Sequence, residues 1–327
     1  MKRFYLYGDT KENAGPCNVN RSWVENSDGS MDYARNTGRV MRRLEKIWGC
    51  ITHRVVLFSG GSRRPELYLC KLLGKRIIYV MHGCARYENV VNKLGMSGKE
   101  LQLEYDTLTL ADKIVAVSER YAAWVRKEYP EFAHKVTFVN NGLEISHTFY
   151  PHQLHDGGKY TIAVSGGNLP IKNNLKVCEA VKKLVNEGMN IEVKVFGLCR
   201  DNGEPIFDYP FAKRMGQMDK DSYYEELKNT DLYIISSNTE SFGLVVGDAV
   251  NCGCSLLLSK YVGAASIFNQ LLDEDVLEDN QDTEEMAAKI KHLLLHGNAK
   301  RMFEAVDSEK CSGKQAYLKL KQICLDL

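Results

Sequence analysis

The 327-residue sequence lacks several features that would place it in a particular class of protein. It has no run of about 18 apolar residues, which excludes a membrane-spanning helix. Its first residues, MKRFYLYGDT, become polar at Gly8 and Asp9 and lack the apolar core of a signal peptide. We therefore expect a first strand there and a cytoplasmic chain. No repeat of 20–50 residues occurs, which argues against a solenoid.

Common signatures of nucleotide, metal and nucleic-acid binding are also missing. No G-x-G-x-x-G follows a strand-like run, which argues against a Rossmann oxidoreductase, and the P-loop pattern is absent. The ten cysteines form no C-x-x-C pair. We expect them to be small buried residues in a reducing cytosol, with neither disulfides nor zinc. No stripe of basic and aromatic residues occurs, so nucleic acid is not an expected partner.

The composition is that of a globular protein, with 44% apolar and 26% charged residues and enough length for two domains of about 150 residues each. Charge is uneven along the chain. Residues 1–150 hold 23 basic and 16 acidic residues, a charge of +7, and the remainder holds 20 and 26, a charge of −6. A basic first half suits an anionic partner such as a phospholipid surface. A solvated surface without a partner explains the bias equally well.

Short β-rich runs alternate with longer helical stretches in both halves of the sequence. This alternation predicts βαβ units and parallel sheets, whose ligands bind beyond the carboxyl ends of the strands. Strands are predicted at Phe4–Tyr7, Val55–Phe58, Ile77–Met81, Ile114–Val117, Val136–Val139, Tyr160–Val164, Ile191–Phe196, Leu232–Ser236 and Ser255–Leu258. Helices are predicted at Asp32–Trp48, Pro65–Leu73, Glu100–Ala111, Glu119–Glu128, Asn174–Glu187, Asp219–Asn229, Leu244–Cys252, Thr283–His296 and Gly313–Asp326.

A turn-rich stretch without periodicity separates the two series of elements. We predict an N-terminal domain over 1–150, a linker over 151–158, a second domain over 159–312 and a C-terminal helix within 313–327.

The segment Ser236–Ala249 carries the strongest functional signal. A predicted strand ends near Ser236, and a polar loop, Gly243 and a helix follow. Backbone amides at a helix start bind anions or sugar hydroxyls, and Gly243 allows a ligand close to the backbone. Glu240 and Asp248 are eight residues apart, so their carboxylates can hold two ends of one polar ligand. A helix cap and a solvated acid are the structural alternative.

This segment resembles the retaining glycosyltransferases of family 4. Their signature is a Glu, seven residues and a second Glu, usually with Phe-Gly-Leu just after the first. The corresponding residues here are Glu240, Ser241, Phe242, Gly243, Leu244 and Asp248, which replaces the second Glu. The resemblance implies that Glu240 and the amides after it hold the donor sugar. It also implies that Asp248 holds the ribose.

A second match, at Ser165–Asn174, follows the first strand of the second half. A glycine-rich turn that ends in a lysine suits a diphosphate, because backbone amides and one fixed cation can surround it. The resemblance implies that Gly167, Asn168 and Lys172 contact the donor. The family usually has an arginine at the place of Gly167, so one cation of the usual pair is missing. A solvated lysine beside a turn is the structural alternative.

Weaker matches occur in the family's order. Gly197 ends a predicted strand and Met218 precedes a predicted helix, and the resemblance implies that both segments line the nucleobase site. Gly15 lies in the loop that the family places near the donor phosphates. His82 follows a strand where the family has a histidine that faces the reacting sugar. Ordinary turns and a structural histidine would explain each of these alone.

The resemblance covers about residues 4–300 and implies a GT-B fold, in which two Rossmann-like doubly wound α/β domains face each other across a cleft. It implies that a sugar passes from a nucleotide-diphosphate sugar to a hydroxyl acceptor with retention of configuration. No metal or other cofactor is expected, and Asp273–Asp275 is expected to be solvated charge. The expected catalytic residues are Glu240, Lys172 and His82.

The expected donor is a UDP-sugar, with a GDP-sugar as the alternative. The expected acceptor is a saccharide or lipid-linked saccharide at the inner membrane surface, in polysaccharide or glycolipid assembly. Peripheral contact with an anionic membrane would accompany that acceptor. A non-catalytic sugar-nucleotide-binding or glycan-binding protein on the same fold stays open, as does a GT-B epimerase or phosphorylase.

Overall fold

A computed structural model describes residues 3–11, 14–60, 64–151, 158–201 and 203–327. Contacts divide the chain into two units, one of residues 1–144 with 309–327 and one of residues 145–308. Most of the predicted linker lies outside the described residues, because 152–157 are not among them.

The first unit is built on a six-stranded sheet in which every pair of neighbours is parallel. Its strands are β1 (Phe4–Tyr7), β2 (Met31–Tyr33), β3 (Val55–Ser59), β4 (Arg76–Met81), β5 (Lys113–Ala116) and β6 (Val136–Phe138), in the order β2-β1-β3-β4-β5-β6. Its helices are α1 (Gly15–Glu25), α2 (Arg39–Thr52), α3 (Arg64–Leu72), α4 (Ala85–Val91), α5 (Gly98–Leu110) and α6 (Glu119–Glu128). Every residue of β1 and β3 is buried, as expected for parallel strands that are covered on both faces.

The second unit repeats this architecture with a second all-parallel sheet. Its strands are β7 (Tyr160–Val164), β8 (Ile191–Phe196), β9 (Ala212–Gly216), β10 (Leu232–Ile235), β11 (Ser255–Ser259) and β12 (Val276–Leu277), in the order β12-β11-β10-β7-β8-β9. Its helices are α7 (Asn174–Asn186), α8 (Lys220–Lys228), α9 (Val245–Asn251), α10 (Thr283–His296) and α11 (Ala299–Ala305). Apolar side chains from β7, β8, β10, α7 and α10 form its core.

The end of the chain returns to the first unit through α12 (Ser308–Cys311) and α13 (Gly313–Leu325). Tyr317 on α13 shares a 2.7 Å hydrogen bond with Ser30, and its hydroxyl donates to Asp28 at 2.9 Å. A Cβ at Gly142 would lie 2.5 Å from the Cα of Gly313, so these two glycines allow the close packing of α13.

Each sheet has one point at which the strand order reverses. In the first unit, β1 lies between β2 and β3. In the second unit, β7 lies between β8 and β10. Ligands of open parallel sheets bind outside the carboxyl ends of the strands at such a point. A ligand of the first sheet is therefore expected at the loops after β1 and β3, and a ligand of the second sheet at the loops after β7 and β10.

The structure confirms the predicted strands to within one residue at each end. The helix predicted from Asp32 begins only at Arg39, because Met31–Tyr33 pairs with β1 as an edge strand. Ala212–Gly216 was not predicted as a strand because its sequence, AKRMG, carries the exposed Lys213 and Arg214 of an edge. Nine of the ten cysteines are buried, as expected. None of the described helices is both long and apolar enough to cross a bilayer.

The expectation that Asp273–Asp275 is solvated charge is wrong for Asp275. Its side chain is fully buried and accepts hydrogen bonds from Asn298 Nδ2 at 2.7 Å and from two guanidinium nitrogens of Arg301 at 2.6 and 2.8 Å. Asp275 therefore anchors the segment after β11 to α11. A buried carboxylate needs such partners, which a short acidic run does not reveal.

Candidate functional site

Two loops at the reversal point of the second sheet bring Lys172 and Glu240 together. Lys172 ends the 3₁₀ turn Pro170–Lys172 that follows β7, and Glu240 lies in the loop after β10. Lys172 Nζ donates to Glu240 Oε2 at 2.5 Å, and the two side chains are only 25% and 15% exposed. The pair places one cation and one carboxylate, both largely shielded from water, where this kind of sheet binds ligands.

Three glycines make room for Lys172 and for the backbone around it. Gly166 has φ +84°, and a Cβ there would overlap with the Cγ, Cδ and Cε atoms of Lys172. The lysine stem therefore crosses the turn over a position without a side chain. Gly167 has φ +62°, and a Cβ there would collide with the carbonyl oxygen of Leu198. A Cβ at Gly197 would lie 3.2 Å from Gly167 N. No arginine side chain fits at Gly167 without a shift of this backbone.

Buried polar side chains fix the loop that carries Lys172. Ser236 Oγ donates to the carbonyl oxygens of Lys172 and Asn173 at 3.0 and 3.2 Å. Asn280 Nδ2 donates to the carbonyl oxygens of Ser236 and Ser237 at 2.8 and 3.2 Å, and Asn173 Nδ2 donates to Asn280 O at 2.6 Å. Because Ser236 ties the end of β10 directly to the turn after β7, and Asn280 in the loop after β12 bonds to both segments, the network holds the two loops in one arrangement.

The Glu240 loop is held by backbone contacts with the turn after β11. Gly263 N donates to Glu240 O at 3.0 Å, and Ala264 N donates to Phe242 O at 2.7 Å. The Phe242 ring is buried and anchors the loop. Gly243 has φ +96°, and a Cβ there would lie 3.3 Å from Glu240 Cγ. Two further predicted residues, both partly exposed, lie in the same loop: Ser241 and Leu244.

Asp248 lies in the first turn of α9 and contacts a residue that sequence reasoning missed. Tyr224 on α8 donates its hydroxyl to Asp248 Oδ1 at 2.6 Å. Burial raises the pKa of the Asp248 carboxyl, while the hydrogen bond from Tyr224 and the charge of Lys220 oppose that rise. Met218 is partly exposed in the loop between β9 and α8.

Asn168 has a clear structural role. Its Nδ2 donates to the carbonyl oxygens of Arg200 and Glu204 at 2.8 and 3.3 Å, and its Oδ1 accepts from Arg200 N at 2.8 Å. The side chain is buried. These contacts tie the turn after β7 to the loop after β8, so Asn168 positions Gly167 and Gly197 rather than reaching outward.

The first unit has its own polar cluster at the carboxyl ends of β3 and β4. His82, directly after β4, shares a 2.8 Å hydrogen bond between its Nε2 and Ser59 Oγ. Ser59 Oγ donates its proton to Asn20 Oδ1 at 2.6 Å, so it accepts from the Nε2–H group of His82. Burial lowers the pKa of His82 to about 4. His82 is therefore uncharged at neutral pH.

Gly15 is exposed and begins α1, with Ala14 at the N-cap. The helix thus starts beyond the end of β1, beside the reversal point of the first sheet. Residues 12 and 13 of the same predicted loop lie outside the described residues.

Comparison with known proteins decides the family. Residues 85–308, more than two thirds of the chain, match the family described as Family 4 Glycosyltransferase in conflict systems. The chain belongs to this family. Lys172, Glu240 and Asp248 lie within the matched range, whereas His82 and Gly15 precede it. No curated protein sequence matches this glycosyltransferase significantly.

Solved structures with a similar fold are GT-B glycosyltransferases. HepE of Anabaena, solved with UDP and glucose, has a TM-score of 0.67 at 12% identity over 100% of both chains. Sucrose-phosphate synthase of Thermosynechococcus elongatus has a TM-score of 0.67 at 13% identity, over 100% of this chain and 99% of its own. A glycosyltransferase of Rickettsia africae has a TM-score of 0.63 at 14% identity over 99% and 98%. At these identities the likeness establishes the GT-B fold of this glycosyltransferase.

Sequence reasoning missed several residues of these clusters in this family 4 chain. Gly166 precedes Gly167 in the same turn, and only the path of the lysine stem shows that it is needed. Tyr224, Ser59 and Asn20 lie far along the chain from the residues they contact. A glycine pair before a lysine was the one signal that could have found any of them.

Proposed function

We propose that this glycosyltransferase moves a sugar from a UDP-sugar to a hydroxyl acceptor with retention of configuration and without a metal or cofactor. The observation that carries the proposal is the Lys172–Glu240 pair at the reversal point of the second sheet. A UDP donor is favoured because HepE, which has this fold, binds UDP-glucose and UDP. A GDP-sugar is the alternative donor.

In the proposed reaction, the bond between the anomeric carbon and the diphosphate breaks. A bond from the acceptor oxygen forms on the same face, and the acceptor proton leaves with the diphosphate. Negative charge grows on the departing diphosphate, and a fixed cation stabilises it. Lys172 supplies that cation, with the backbone amide of Gly166 in the same turn. Before the donor binds, Glu240 holds Lys172 in place.

The carboxylates position the donor in this proposal. Glu240 accepts hydrogen bonds from the sugar hydroxyls and does not act as a nucleophile. Asp248 accepts from the ribose hydroxyls, and Tyr224 orients it. The segments at Gly197 and Met218 line the base. His82 contributes a neutral imidazole toward the reacting sugar, held by Ser59.

The proposed acceptor is a saccharide or lipid-linked saccharide in polysaccharide or glycolipid assembly. An enzyme with a lipid-linked acceptor acts at the inner membrane surface. The basic first half of the chain supports peripheral contact with that surface.

The test is a thermal-shift screen against UDP, GDP, ADP and their common sugar conjugates, followed by an assay for donor consumption. Ligands that bind only the folded state raise the melting temperature. We expect stabilisation by UDP and slow release of UDP from the matching UDP-sugar. No stabilisation by any nucleotide would overturn the donor site.

A second candidate is a non-catalytic protein that binds the donor. The observation that favours it is Gly167, where the backbone has no room for the second cation of the family. This candidate predicts stabilisation by UDP with no consumption of any UDP-sugar, whether or not an acceptor is present.

A further inference from the structure

Helix α2 carries an apolar stripe on the side that faces away from the first sheet. In a surface helix of a globular protein, the apolar stripe ordinarily faces the core. Here residues spaced three and four apart, which share one helix face, are exposed. Five large apolar side chains form this stripe, from 41% to 72% exposed: Val40, Met41, Leu44, Trp48 and Ile51.

The packing of α2 on the sheet uses the opposite side of the helix. Gly49 and Cys50 are buried, and a Cβ at Gly49 would collide with the ring of Tyr5 on β1. The Tyr5 hydroxyl also donates to Glu45 O at 3.2 Å. Because the small Gly49 lets the helix lie directly on β1, the unit is packed without the stripe. Single exposed apolar residues are ordinary, but a contiguous set marks an interaction surface.

The neighbouring helix α3 also carries exposed apolar side chains. Tyr68 and Leu72 are 55% and 84% exposed, and α3 contacts α2. Two adjacent helices of this unit therefore expose aromatic and aliphatic side chains.

Cations border the stripe. Arg43 is exposed along one edge, where its Nε also lies 3.6 Å from Oε1 of the buried Glu66 on α3, and Arg39 is exposed in the first turn of the helix. Lys75 Nζ donates to Ile51 O at 2.5 Å, which places a third cation at the end of the stripe. On the other edge, the Glu45 carboxylate accepts from the amides of residues 35 and 36 at 2.9 Å. The whole first unit holds 27 basic and 18 acidic residues, a formal charge of +9. The partner of this surface is therefore anionic as well as apolar.

We propose that α2 docks in the interface of an anionic lipid bilayer, with the stripe inserted among the acyl chains and the cations at the headgroups. A basic amphipathic helix with aromatic and aliphatic side chains binds membranes in this way, and Trp48 suits the interfacial layer. A second copy of the chain fits less well, because a two-fold contact through this face would bring together two units that each carry a formal charge of +9. The inference rests on the proposed peripheral location and is independent of the donor site.

The test is co-sedimentation of the full chain with vesicles of phosphatidylcholine containing roughly a third phosphatidylglycerol. We expect binding that falls at least about tenfold with pure phosphatidylcholine or at high salt. The double variant Leu44→Ser/Trp48→Ser should also bind at least about tenfold more weakly. The matched control, Val90→Ser/Leu318→Ser, removes two exposed apolar side chains elsewhere on the same unit, one of them 72% exposed. It should bind like wild type.

A spectroscopic measurement locates the contact. Brominated lipids should quench tryptophan fluorescence in the wild type because Trp48 inserts, and Trp48→Phe should lose the quenching while it still sediments. Three results would overturn the proposal: equal binding of the stripe and control variants, no quenching in bound wild type, or a dimer that the stripe variant abolishes without any vesicle binding. UDP stabilisation measured on the same samples separates these outcomes from failure of the donor site.

Discussion

The crossing of the Lys172 stem over Gly166 leads to a quantitative prediction. Gly166→Ala introduces a Cβ into the space of Lys172 Cγ at a residue with φ +84°. The atoms it meets belong to a flexible side chain, so the lysine moves and the fold survives. The displaced ammonium group then no longer reaches the donor diphosphate.

Two costs follow from this change. An alanine in the left-handed region costs roughly 1–2 kcal/mol of stability, which lowers the melting temperature of a unit of this size by about 2–8 °C. Loss of a hydrogen bond from a charged donor costs about 1.5–3 kcal/mol of binding free energy. The dissociation constant of UDP should therefore rise roughly 10- to 100-fold.

The matched control is Gly188→Ala. Gly188 lies just beyond α7 in the same unit with φ +97°, and a Cβ there meets nothing within 4 Å. Its alanine variant suffers similar backbone strain without touching Lys172. Calorimetric titration of both variants with UDP separates strain from the loss of Lys172. If Gly166→Ala binds UDP as tightly as Gly188→Ala, the placement of Lys172 on the diphosphate is refuted.

Three further predictions concern the carboxylates and His82. The Tyr224 hydrogen bond lowers the pKa of Asp248. UDP affinity should therefore decline with falling pH, and the decline should begin at a higher pH in Tyr224→Phe than in wild type. Superimposed curves of UDP affinity against pH for the two proteins would contradict this. Glu240→Gln should lower turnover of the UDP-sugar at least about tenfold, because the donor sugar is no longer positioned. The variant should bind UDP no more weakly than wild type, because Lys172 loses a competing carboxylate. A wild-type rate would show that Glu240 is not part of the site. The pKa of His82 falls from 6.5 to about 4 on folding. The stability that the neutral imidazole contributes is therefore fully present above pH 6.5 and is lost as pH falls toward 4. This loss is on the order of 3 kcal/mol of the free energy of unfolding. Urea unfolding at neutral and acid pH should therefore show a larger loss of stability for wild type than for His82→Gln, and equal losses would count against a neutral imidazole at His82.

Apolar runs predicted most of the fold, because a strand buried on both faces of a parallel sheet needs an unbroken apolar segment. The runs at Phe4–Tyr7 and Tyr160–Val164 show this directly. Edge strands cannot be predicted in this way, because they need no unbroken apolar segment. Met31–Tyr33 and Ala212–Gly216 are each held by pairing with one neighbour, and both strands are partly exposed.

The candidate site was predictable only in part. A short motif indicated Glu240 and Asp248, because ligand-binding residues after one strand lie close together in the sequence. The contacts that hold them depend on the three-dimensional path of the chain. Tyr224 meets Asp248 through the packing of α8 near α9, and Asn280 reaches Ser236 from a distant loop. The exposed stripe of α2 also has an ordinary amphipathic pattern, and only its orientation on β1 shows that it faces solvent.

The most direct test of the donor site is an experimental structure of the protein with UDP bound. The proposed function predicts the diphosphate within hydrogen-bonding distance of Lys172 Nζ, with the ribose hydroxyls on the Asp248 carboxylate. A nucleotide bound elsewhere, or a site without nucleotide at saturating UDP, would contradict the assignment of Lys172, Glu240 and Asp248.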